Sequence, residues 1–575
     1  MVFFYTQREV VVDMGRKTLV MYEISQKQNY IFRTNRLIEN IGASTIIRQL
    51  TEEPHQLFKD VKIQLPNVQE KIVGGGNAVF VFDQEEDARR FAKHLTCGTL
   101  KYFPGIEIFL VTKSIDWEND ILYDKKNEQG QLVKKGVFTQ MRDALADKKN
   151  KRSQAVQQLS WGIHFICSDS GLPASALSFD KDMKTQVPRA RELVIKERMG
   201  RETRDTIFEK HLLEDLNKQI NSETFSFLDQ KKLESVFHQQ KSDQAKSYVA
   251  IVHIDGNAMG VKVGSFLKQT FESNDDYINQ YKAFTKEIDD AYKQAFKKMI
   301  HHLMNDYDRW ASVIYGTEDA SNDENLKRTV PLRPIVAAGD DICFITYGQL
   351  GIECARLFIQ YLQEQNEKQS FEACAGVAIV KHKFPFWLAY ELSEQLCSNA
   401  KKRLKTDSEN WEKLGMGTKE RPYDTSLIDW HLVKDGDFQF DIDLMRRSLY
   451  ENEDGSYLLQ RPYYLQRQTD KIRHHASYQF SFLNAMNVIV NGEMENPRSK
   501  WKALLDVYHQ GVEAVEQWKI QQQFDIGPNQ LFLAPKDGFS VYGTEDDKKE
   551  KLVAYYYDAL EVMDYFIPLS EVKEG

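Results

Sequence analysis

Three aspartates stand at the tips of two apolar, β-branched runs and could together bind a metal ion. Asp255 ends the run that begins at Ile251, and Asp340 and Asp341 follow the run that begins at Ile335. Because such runs predict buried strands, their ends would carry the carboxylates to the edge of a sheet. Carboxylate oxygens suit Mg²⁺ or Mn²⁺, with substrate phosphates completing the coordination. We therefore predict a metal site formed by the three aspartates; an acidic hairpin turn without a ligand is the alternative.

The chemistry that suits such a site is nucleotidyl transfer. Two ions held about 3.5–4 Å apart can activate a ribose hydroxyl for in-line attack on an α-phosphorus and stabilise the departing pyrophosphate. Glycines beside the aspartates would let a triphosphate approach the backbone closely. We expect nucleotide contacts from three residues next to the aspartates, namely Gly256, Asn257 and Gly339.

A glycine-rich turn earlier in the chain predicts a further nucleotide contact. Two apolar runs within 71–82 are joined by glycines, which predicts a tight hairpin whose turn needs residues that tolerate positive φ. The candidate nucleotide-binding residues here are Gly74, Gly75, Gly76, Asn77 and Ser25. A hairpin without any ligand stays an open alternative.

The elements that would position these residues occur twice in the same order. Strand, helix, hairpin, helix and strand are predicted first over 17–25, 34–50, 71–82, 84–98 and 105–113. The same order returns over 248–255, 277–307, 332–347, 350–364 and 372–380, followed by a helix over 386–404. Such a repeat predicts two similar units that pack as a pseudo-symmetric pair. The predicted fold class is α+β, with two ferredoxin-like βαββαβ domains related by a pseudo-twofold axis.

The predicted domain boundaries separate four parts of the chain. They are a first βαββαβ domain, a helical linker, a second βαββαβ domain and a mostly helical C-terminal domain, over 1–136, 137–240, 241–405 and 406–575. The first copy has Gly-Gly-Gly-Asn where the second has Gly-Asp-Asp, and we find no aspartate in it to match Asp255. We therefore expect metal chemistry in the second copy and at most nucleotide binding in the first.

Composition narrows the classes of function. A net charge of -9 over 575 residues argues against a broadly basic nucleic-acid-binding face. No apolar run approaches the roughly 20 residues that a bilayer span needs, and no signal segment precedes the first strand, so we expect a cytoplasmic protein without a membrane partner. The six cysteines are scattered without a C-x-x-C pair, which predicts neither a disulfide framework nor a zinc ribbon.

Taken together and in this order, the motifs resemble the large polymerase/cyclase subunit of type III CRISPR effector complexes. The stretch I-D-G-N-A-M-G at 254–260 is similar to that family's D-G-D-N-M-G element, and A-G-D-D at 338–341 is similar to its G-G-D-D. A-C-A-G-V-A-I at 373–379, followed by Ala400-Lys401, is similar to a later strand and helix of its second palm domain. I-S-Q-K-Q at 24–28 and the glycine turn are similar to elements of its first palm.

The resemblance implies an enzyme that joins ATP molecules into cyclic oligonucleotide messengers for antiviral defence. It implies two palm domains, two Mg²⁺ or Mn²⁺ ions bridged by Asp255 and a hairpin aspartate, and nucleoside triphosphates as ligands. It places Lys401 where an ammonium group would neutralise the triphosphate; without the resemblance, a solvent-facing lysine is an equal alternative. The implied macromolecular partners are the backbone subunits of a guide-RNA complex and a target RNA.

The chain also departs from that family's pattern. No adjacent His-Asp pair occurs and the first palm lies near the N-terminus of the sequence, so we expect no HD nuclease domain. The segment 167–174 resembles a remnant of the zinc-binding segment, with Ser170 in place of the second cysteine, so we expect no zinc. Asn257 and Ala338 stand where the family has an acid and a glycine.

A second class of function stays open beside the cyclase. The chain could be a catalytically weak scaffold whose palms bind nucleotide or hold neighbouring subunits on a guide RNA. It could also act alone or as a homodimer. A templated polymerase is less favoured, because no basic thumb-and-finger region accompanies the acidic balance.

Overall fold

The structure is a computed structural model in which the chain forms two compact units. It describes residues 15–74, 77–127, 131–151, 162–180, 185–202, 207–218, 225–239, 247–267, 269–316, 323–364, 371–413, 425–434, 438–465, 477–491, 496–526, 530–533 and 552–570. Unit 1 comprises Met1–Thr34, Glu39–Thr203 and Gly260–Glu287, and unit 2 comprises Asn35–Ile38, Arg204–Met259 and Ile288–Gly575. Among the described residues, every helix is too short or too polar to span a membrane.

The first βαββαβ domain is a four-stranded antiparallel sheet with the strand order β2-β3-β1-β4. Its strands are β1 (Arg16–Ser25), β2 (Glu70–Gly74), β3 (Asn77–Phe82) and β4 (Glu107–Asp116). The intervening helices are α1 (Lys27–Phe32), α2 (Leu37–Glu52), α3 (Pro54–Asp60) and α4 (Glu85–Tyr102). The central strand β1 is almost fully buried because its apolar run packs between the helices and the core.

The remainder of the first half of the chain adds short hairpins and helices. These elements are β5 (Lys125–Lys126), β6 (Leu132–Lys134), α5 (Val137–Asn150), β7 (Ala174–Asp180), β8 (Thr185–Ala190) and α6 (Arg191–Glu202). Helix α5 follows β4 and packs onto the sheet through Phe138 and Met141, and the same core includes Phe266 and Tyr277. The linker that was predicted to be helical therefore also contains the β7-β8 hairpin.

The second βαββαβ domain repeats the strand order and extends it. Its six-stranded sheet has the order β12-β13-β10-β14-β15-β16. The strands are β10 (Tyr248–Gly256), β12 (Leu332–Ala338), β13 (Asp341–Tyr347), β14 (Ala373–Lys381), β15 (Ser426–Leu432) and β16 (Tyr463–Leu465). A separate pair is formed by β9 (Ser226–Phe227) and β11 (Thr329–Val330). The predicted α+β class with two ferredoxin-like domains is confirmed.

Helices cover both faces of this sheet. The helices from 207 to 413 are α7 (Ile207–Lys218), α8 (Gln230–Gln239), α9 (Met259–Phe266), α10 (Asn274–Asn305), α11 (Tyr307–Tyr315), α12 (Glu324–Lys327), α13 (Gly351–Gln363) and α14 (Phe386–Lys413). On one face α13 approaches so closely that a Cβ on Gly351 would lie 2.3 Å from the Cβ of Ala250. On the other face α14 packs against β14 at Gly376. Covering both faces explains why the central strands read as nearly continuous apolar runs.

The C-terminal region combines short helices with strands. Its elements are α15 (Ile442–Tyr450), a π-helix at Tyr478–Leu483, α16 (Asn484–Asn491), α17 (Arg498–Tyr508), α18 (Val512–Gln521), β17 (Phe532–Leu533), β18 (Val553–Ala554) and α19 (Tyr557–Val562). Buried Arg461 holds this region together through ion pairs to Asp558 at 3.1 Å and Glu561 at 2.6 Å.

Two C-terminal elements differ from the sequence predictions. The helix expected over 500–519 is divided into α17 and α18, because Gly511 adopts φ 89° and ends the first helical path. The helix expected over 548–566 begins only at Tyr557, because Val553–Ala554 pairs as a strand with Phe532–Leu533. Strand β15 was not predicted from the sequence. It extends the sheet of the second domain by pairing parallel to β14.

Candidate active site

The register of the second sheet places two of the predicted aspartates side by side. Asp255 is the cross-strand partner of Asp341, and the chain continues from Asp255 into buried Gly256. Directly opposed residues of an antiparallel pair point to the same face, and like charges in that arrangement destabilise a sheet. Two carboxylates held together at the end of otherwise apolar strands therefore indicate a functional site, because such a pair does not stabilise the packing of the sheet.

The third aspartate lies in the hairpin turn that joins β12 and β13. Ala338 pairs with Asp341, which leaves Gly339 and Asp340 as a two-residue turn. Gly339 has φ 64°, so a glycine at the first turn position meets the backbone requirement of a tight hairpin. Asp340 is partly buried, and burial together with the neighbouring charge of Asp255 raises its pKa. Asp340 and Asp255 therefore act on each other electrostatically.

Lys401 reaches the same strand end from helix α14. Its Nζ donates hydrogen bonds to Oδ2 of Asp255 and, at 2.9 Å, to the carbonyl of Gly256. Burial opposes the ammonium form, but the carboxylate of Asp255 outweighs it, so the pKa of Lys401 is raised. The predicted nucleotide-binding lysine is thus brought into direct contact with a predicted metal ligand.

A glycine in β14 makes that contact possible. A Cβ on Gly376 would lie 2.0 Å from the carbonyl oxygen of Ser393 and 2.5 Å from the amide nitrogen of Cys397. No other residue fits there without displacing α14 from the sheet. The close approach of helix and strand therefore sets the distance from which Lys401 reaches Asp255.

Two further groups lie beside Asp341 on the face covered by α14. His253 is 4% exposed, and its Nδ1, which has no hydrogen-bond partner among the described residues, lies 4.0 Å from Oδ1 of Asp341. Burial lowers the pKa of His253. Glu394 is partly buried, and its pKa is raised by burial and by the charges of Glu391, Asp341 and Asp255.

The sequence interpretation missed both groups, although the spacing of each from a predicted site residue was a usable signal. Glu394 precedes Lys401 by about two helical turns, which places the two side chains on one face of α14. His253 precedes Asp255 by two residues, which places both on one face of β10.

The residues that follow Asp255 have structural contacts of their own. Asn257 is 3% exposed, and its side-chain amide donates to the carbonyl of Thr425 at 2.8 Å. Ala258 adopts φ 53°, a left-handed conformation that residues with a Cβ rarely adopt. The backbone is therefore fixed tightly beyond Gly256, and a contact of Asn257 with nucleotide stays a prediction.

The first domain carries a related arrangement at the equivalent strand ends. In its register Asn77 pairs with Glu23 and with Gly74, just as Asp341 pairs with Asp255 and with Ala338. Glu23 therefore occupies the position that corresponds to Asp255. The sequence analysis looked only for an aspartate at this position and missed the glutamate. Ser25 lies two residues further along β1, and the predicted contacts Gly75 and Gly76 lie outside the described residues.

A lysine accompanies that carboxylate as well. Lys149 of α5 forms an ion pair with Glu23, and both side chains are about as exposed as those of Lys401 and Asp255. Helix α5 is the first helix after β4, beyond the β5-β6 hairpin, and α14 is the first helix after β14, so the two lysines come from corresponding helices. The first domain thus has the lysine and one carboxylate, but its sequence has Gly76 and Asn77 in place of the two hairpin aspartates.

The donor set of the second domain fits a divalent cation that shares its coordination with a substrate. In the part of the chain that the structure describes, no group of three or more His, Cys, Asp or Glu side chains is arranged to hold a metal by itself. Mg²⁺, however, is commonly bound by one or two carboxylates with phosphates and waters completing the octahedron. Asp255 and the electrostatically coupled Asp340 supply such a pair, with Asp341 beside them.

The segment that resembles a zinc-binding remnant is held by other contacts. Cys167 is buried; burial opposes its thiolate form, but hydrogen bonds from Ser170 and neighbouring backbone N–H groups lower its pKa. Arg189 forms buried or partly buried ion pairs with Asp169 and Glu39. These ion pairs connect the segment to helix α2.

Comparison with known families shows what the second domain is similar to. Residues 248–409, which contain all three aspartates and Lys401, match the family model described as Cas10/Cmr2, second palm domain. This segment is similar to a Cas10/Cmr2 second palm. The resemblance inferred from the motifs is therefore confirmed for the second palm. No curated protein matches the chain significantly.

Solved structures of Csm1–Csm4 assemblies are similar to the chain over most of its length. A Csm1–Csm4 cassette in complex with cA4 aligns with a TM-score of 0.46 and 10% identity, covering 96% of this chain and 70% of that chain. The apo cassette aligns with a TM-score of 0.42 and 10% identity, covering 98% and 72%. The cassette with one ATP aligns with a TM-score of 0.41 and 11% identity, covering 96% and 70%. At these TM-scores the alignments add no argument about the family, and the resemblance rests on residues 248–409.

Proposed function

We propose that this chain is a nucleotide cyclase that joins ATP into cyclic oligonucleotide messengers in type III CRISPR defence. The observation that carries the proposal is the constellation of Asp255, Asp340 and Lys401 at the strand ends of a Cas10/Cmr2 second palm. The combination of paired carboxylates with a nearby ammonium group suits a triphosphate bound through cations.

In this proposal the second palm binds the donor nucleotide. Asp255 and Asp340 would hold the divalent cations, with Asp341 as the further carboxylate, and the bound cations would activate the attacking hydroxyl and stabilise the leaving pyrophosphate. Lys401 would exchange part of its contact with Asp255 for the triphosphate. Gly339, with its positive φ and no side chain, lets the phosphates approach the hairpin backbone.

The first palm would bind the acceptor nucleotide. Ser25, Gly74 and Asn77 lie near the equivalent strand ends, and the predicted contacts Gly75 and Gly76 lie outside the described residues. Lys149 would meet a phosphate as Lys401 would in the second palm. Because the hairpin aspartates are absent there, we expect binding without metal chemistry.

We extend the ligand and partner class of similar assemblies to this chain. Csm1–Csm4 cassettes have been crystallised with cA4, cA3 and ATP, and one such subcomplex belongs to a type III-A CRISPR-Csm interference complex. We therefore propose ATP as the substrate, a cyclic oligoadenylate as the product, and guide-RNA backbone subunits with target RNA as partners.

Turnover of labelled ATP tests the cyclase directly. The purified chain, alone and with its guide-RNA complex and target RNA, is incubated with Mn²⁺ or Mg²⁺, and the products are separated by chromatography. We expect a cyclic product that Asp340→Ala/Asp341→Ala abolishes. The matched control is Glu85→Ala/Glu86→Ala, which removes two exposed carboxylates from α4 and should leave the product unchanged. Nucleotide binding without turnover under every condition would support the scaffold instead.

A further inference from the structure

The hydroxyl of Tyr292 is buried and lacks a hydrogen-bond partner among the described residues. Tyr292 lies on α10, its side chain is fully buried, and its ring packs beside Phe358 and Phe371 at centroid distances of 6.0 and 6.4 Å. A buried hydroxyl without a partner costs about 1–3 kcal/mol. Phenylalanine would fill the same apolar space without that cost, so the hydroxyl calls for an explanation.

The hydroxyl is aimed at the candidate active site. An added Cβ on Gly256 would lie 2.6 Å from Oη of Tyr292 and 2.9 Å from the Cβ of Asp340. The tyrosine oxygen, Gly256 and the hairpin aspartate thus meet at one point. Gly256 keeps this point free of any side chain, and Tyr292 reaches it on the sheet face opposite to Lys401.

The hydroxyl of Tyr292 is a neutral donor, because a phenol ordinarily ionises only near pH 10. A phenol that does not ionise can only donate its proton to a carboxylate beside it. Asp340 is the partly buried carboxylate nearest to the shared point.

We propose that Tyr292 is a positioning residue for Asp340, donating its hydroxyl hydrogen to that carboxylate when the site holds a divalent cation. One oxygen of Asp340 would then be fixed by Tyr292 and the other would face the cation. Outer groups that orient metal ligands in this way typically change metal affinity by about 10–100-fold when they are removed. The inference rests on the proposed metal site of the second palm and assigns that site a further residue.

The test compares two tyrosine-to-phenylalanine variants of the full chain. Tyr277→Phe is the matched control, because Tyr277 lies on the same helix with an equally buried hydroxyl that has no partner among the described residues. Each variant is titrated with Mn²⁺ alone and its thermal stability is measured. We expect Tyr292→Phe to weaken Mn²⁺ binding by about 10-fold while its thermal stability is unchanged or higher. Tyr277→Phe should leave Mn²⁺ affinity unchanged.

Two results would overturn the proposal. One is Mn²⁺ affinity in Tyr292→Phe equal to that of the unmodified chain, and the other is a loss of stability in Tyr292→Phe, which would mean that the hydroxyl has a structural partner. Because the titration needs no turnover, it is independent of the cyclase assay. A chain that binds Mn²⁺ but makes no product would refute the cyclase and still decide the role of Tyr292.

Discussion

The contact between Lys401 and Asp255 gives the lysine two opposing effects. Its ammonium group neutralises a carboxylate that would otherwise face Asp341 and Asp340 without compensation. The same contact competes with any cation that binds Asp255. If a triphosphate binds here as we propose, the phosphates would offer the lysine another partner, and its ammonium group would no longer compete with the cation for Asp255.

Replacing this lysine should separate the two effects. In Lys401→Met we expect affinity for Mn²⁺ alone to rise, because the competing ammonium is gone, while cyclic product formation falls about 100-fold for want of phosphate stabilisation. Metal titration and the ATP assay measure the two quantities. Lys402→Met is the control, since Lys402 is exposed and pairs with Asp443 on the surface. Parallel changes in binding and turnover would contradict this account.

At the scale of elements, the close packing of α14 on β14 sets the distance between Lys401 and Asp255 in the candidate active site. We predict that Gly376→Ala forces α14 away from the sheet, because its Cβ would meet the carbonyl of Ser393 at 2.0 Å. Overpacking of this kind costs about 1–3 kcal/mol, and a displacement near 1 Å at a catalytic group can lower turnover about 100-fold. Urea unfolding and the ATP assay measure the two losses.

A glycine in open space provides the comparison. Gly264 lies in helix α9 with nothing within 4 Å of an added Cβ. Gly264→Ala should leave turnover unchanged and slightly raise stability, because alanine favours a helix. Equal behaviour of the two variants would show that the contact between β14 and α14 is not what positions Lys401.

The elements themselves could largely be predicted from the sequence. Apolar runs such as 251–254 and the glycine before Asp340 identify a strand and a hairpin locally, because the period of a strand and the φ of a turn are local properties. The repeated order of elements then predicted two ferredoxin-like domains. The same local information placed the three aspartates at the ends of two strands, and the structure has Asp255 and Asp341 on the strands and Asp340 in the turn beside them.

Contacts that depend on distant packing could not be predicted. Tyr292 belongs to an aromatic stripe on α10 whose spacing predicts a buried face, and nothing in that spacing distinguishes its hydroxyl from that of Tyr277. Strand β15 was missed because Asp429 and His431 interrupt its apolar run. Asp429 is stabilised in the core by Arg446 at 2.8 Å and Asn399 at 2.6 Å, partners supplied by other elements.

For the whole molecule, buried histidines predict sensitivity to acid. His431 is fully buried in β15, and burial, with Arg461 and Arg446 nearby, lowers its pKa to about 3 against the raising effect of Glu561. Above its unfolded pKa of about 6.5 both states are neutral; as pH falls towards 3 only the unfolded state takes up the proton, so stability is lost.

Removing this histidine should flatten the pH dependence. Between pH 7 and pH 5 the single group accounts for about 2 kcal/mol of lost stability. We expect His431→Phe to show a smaller decrease over this interval, measured by urea unfolding at both pH values. Any loss of packing energy caused by the phenylalanine ring lowers the free energy of unfolding equally at both pH values, so it cancels in the difference between them. Parallel losses in the two proteins would contradict the prediction.

The first domain differs from the second at few of the positions that form the candidate site. Near the end of its central strand, Glu23 forms an ion pair with Lys149 and lies across from Asn77. In the terms of protein design, this domain is a scaffold that has the carboxylate and the lysine of the site but lacks the two hairpin aspartates. An acid introduced at position 77 would therefore face Glu23 across the sheet and create a second metal-binding candidate.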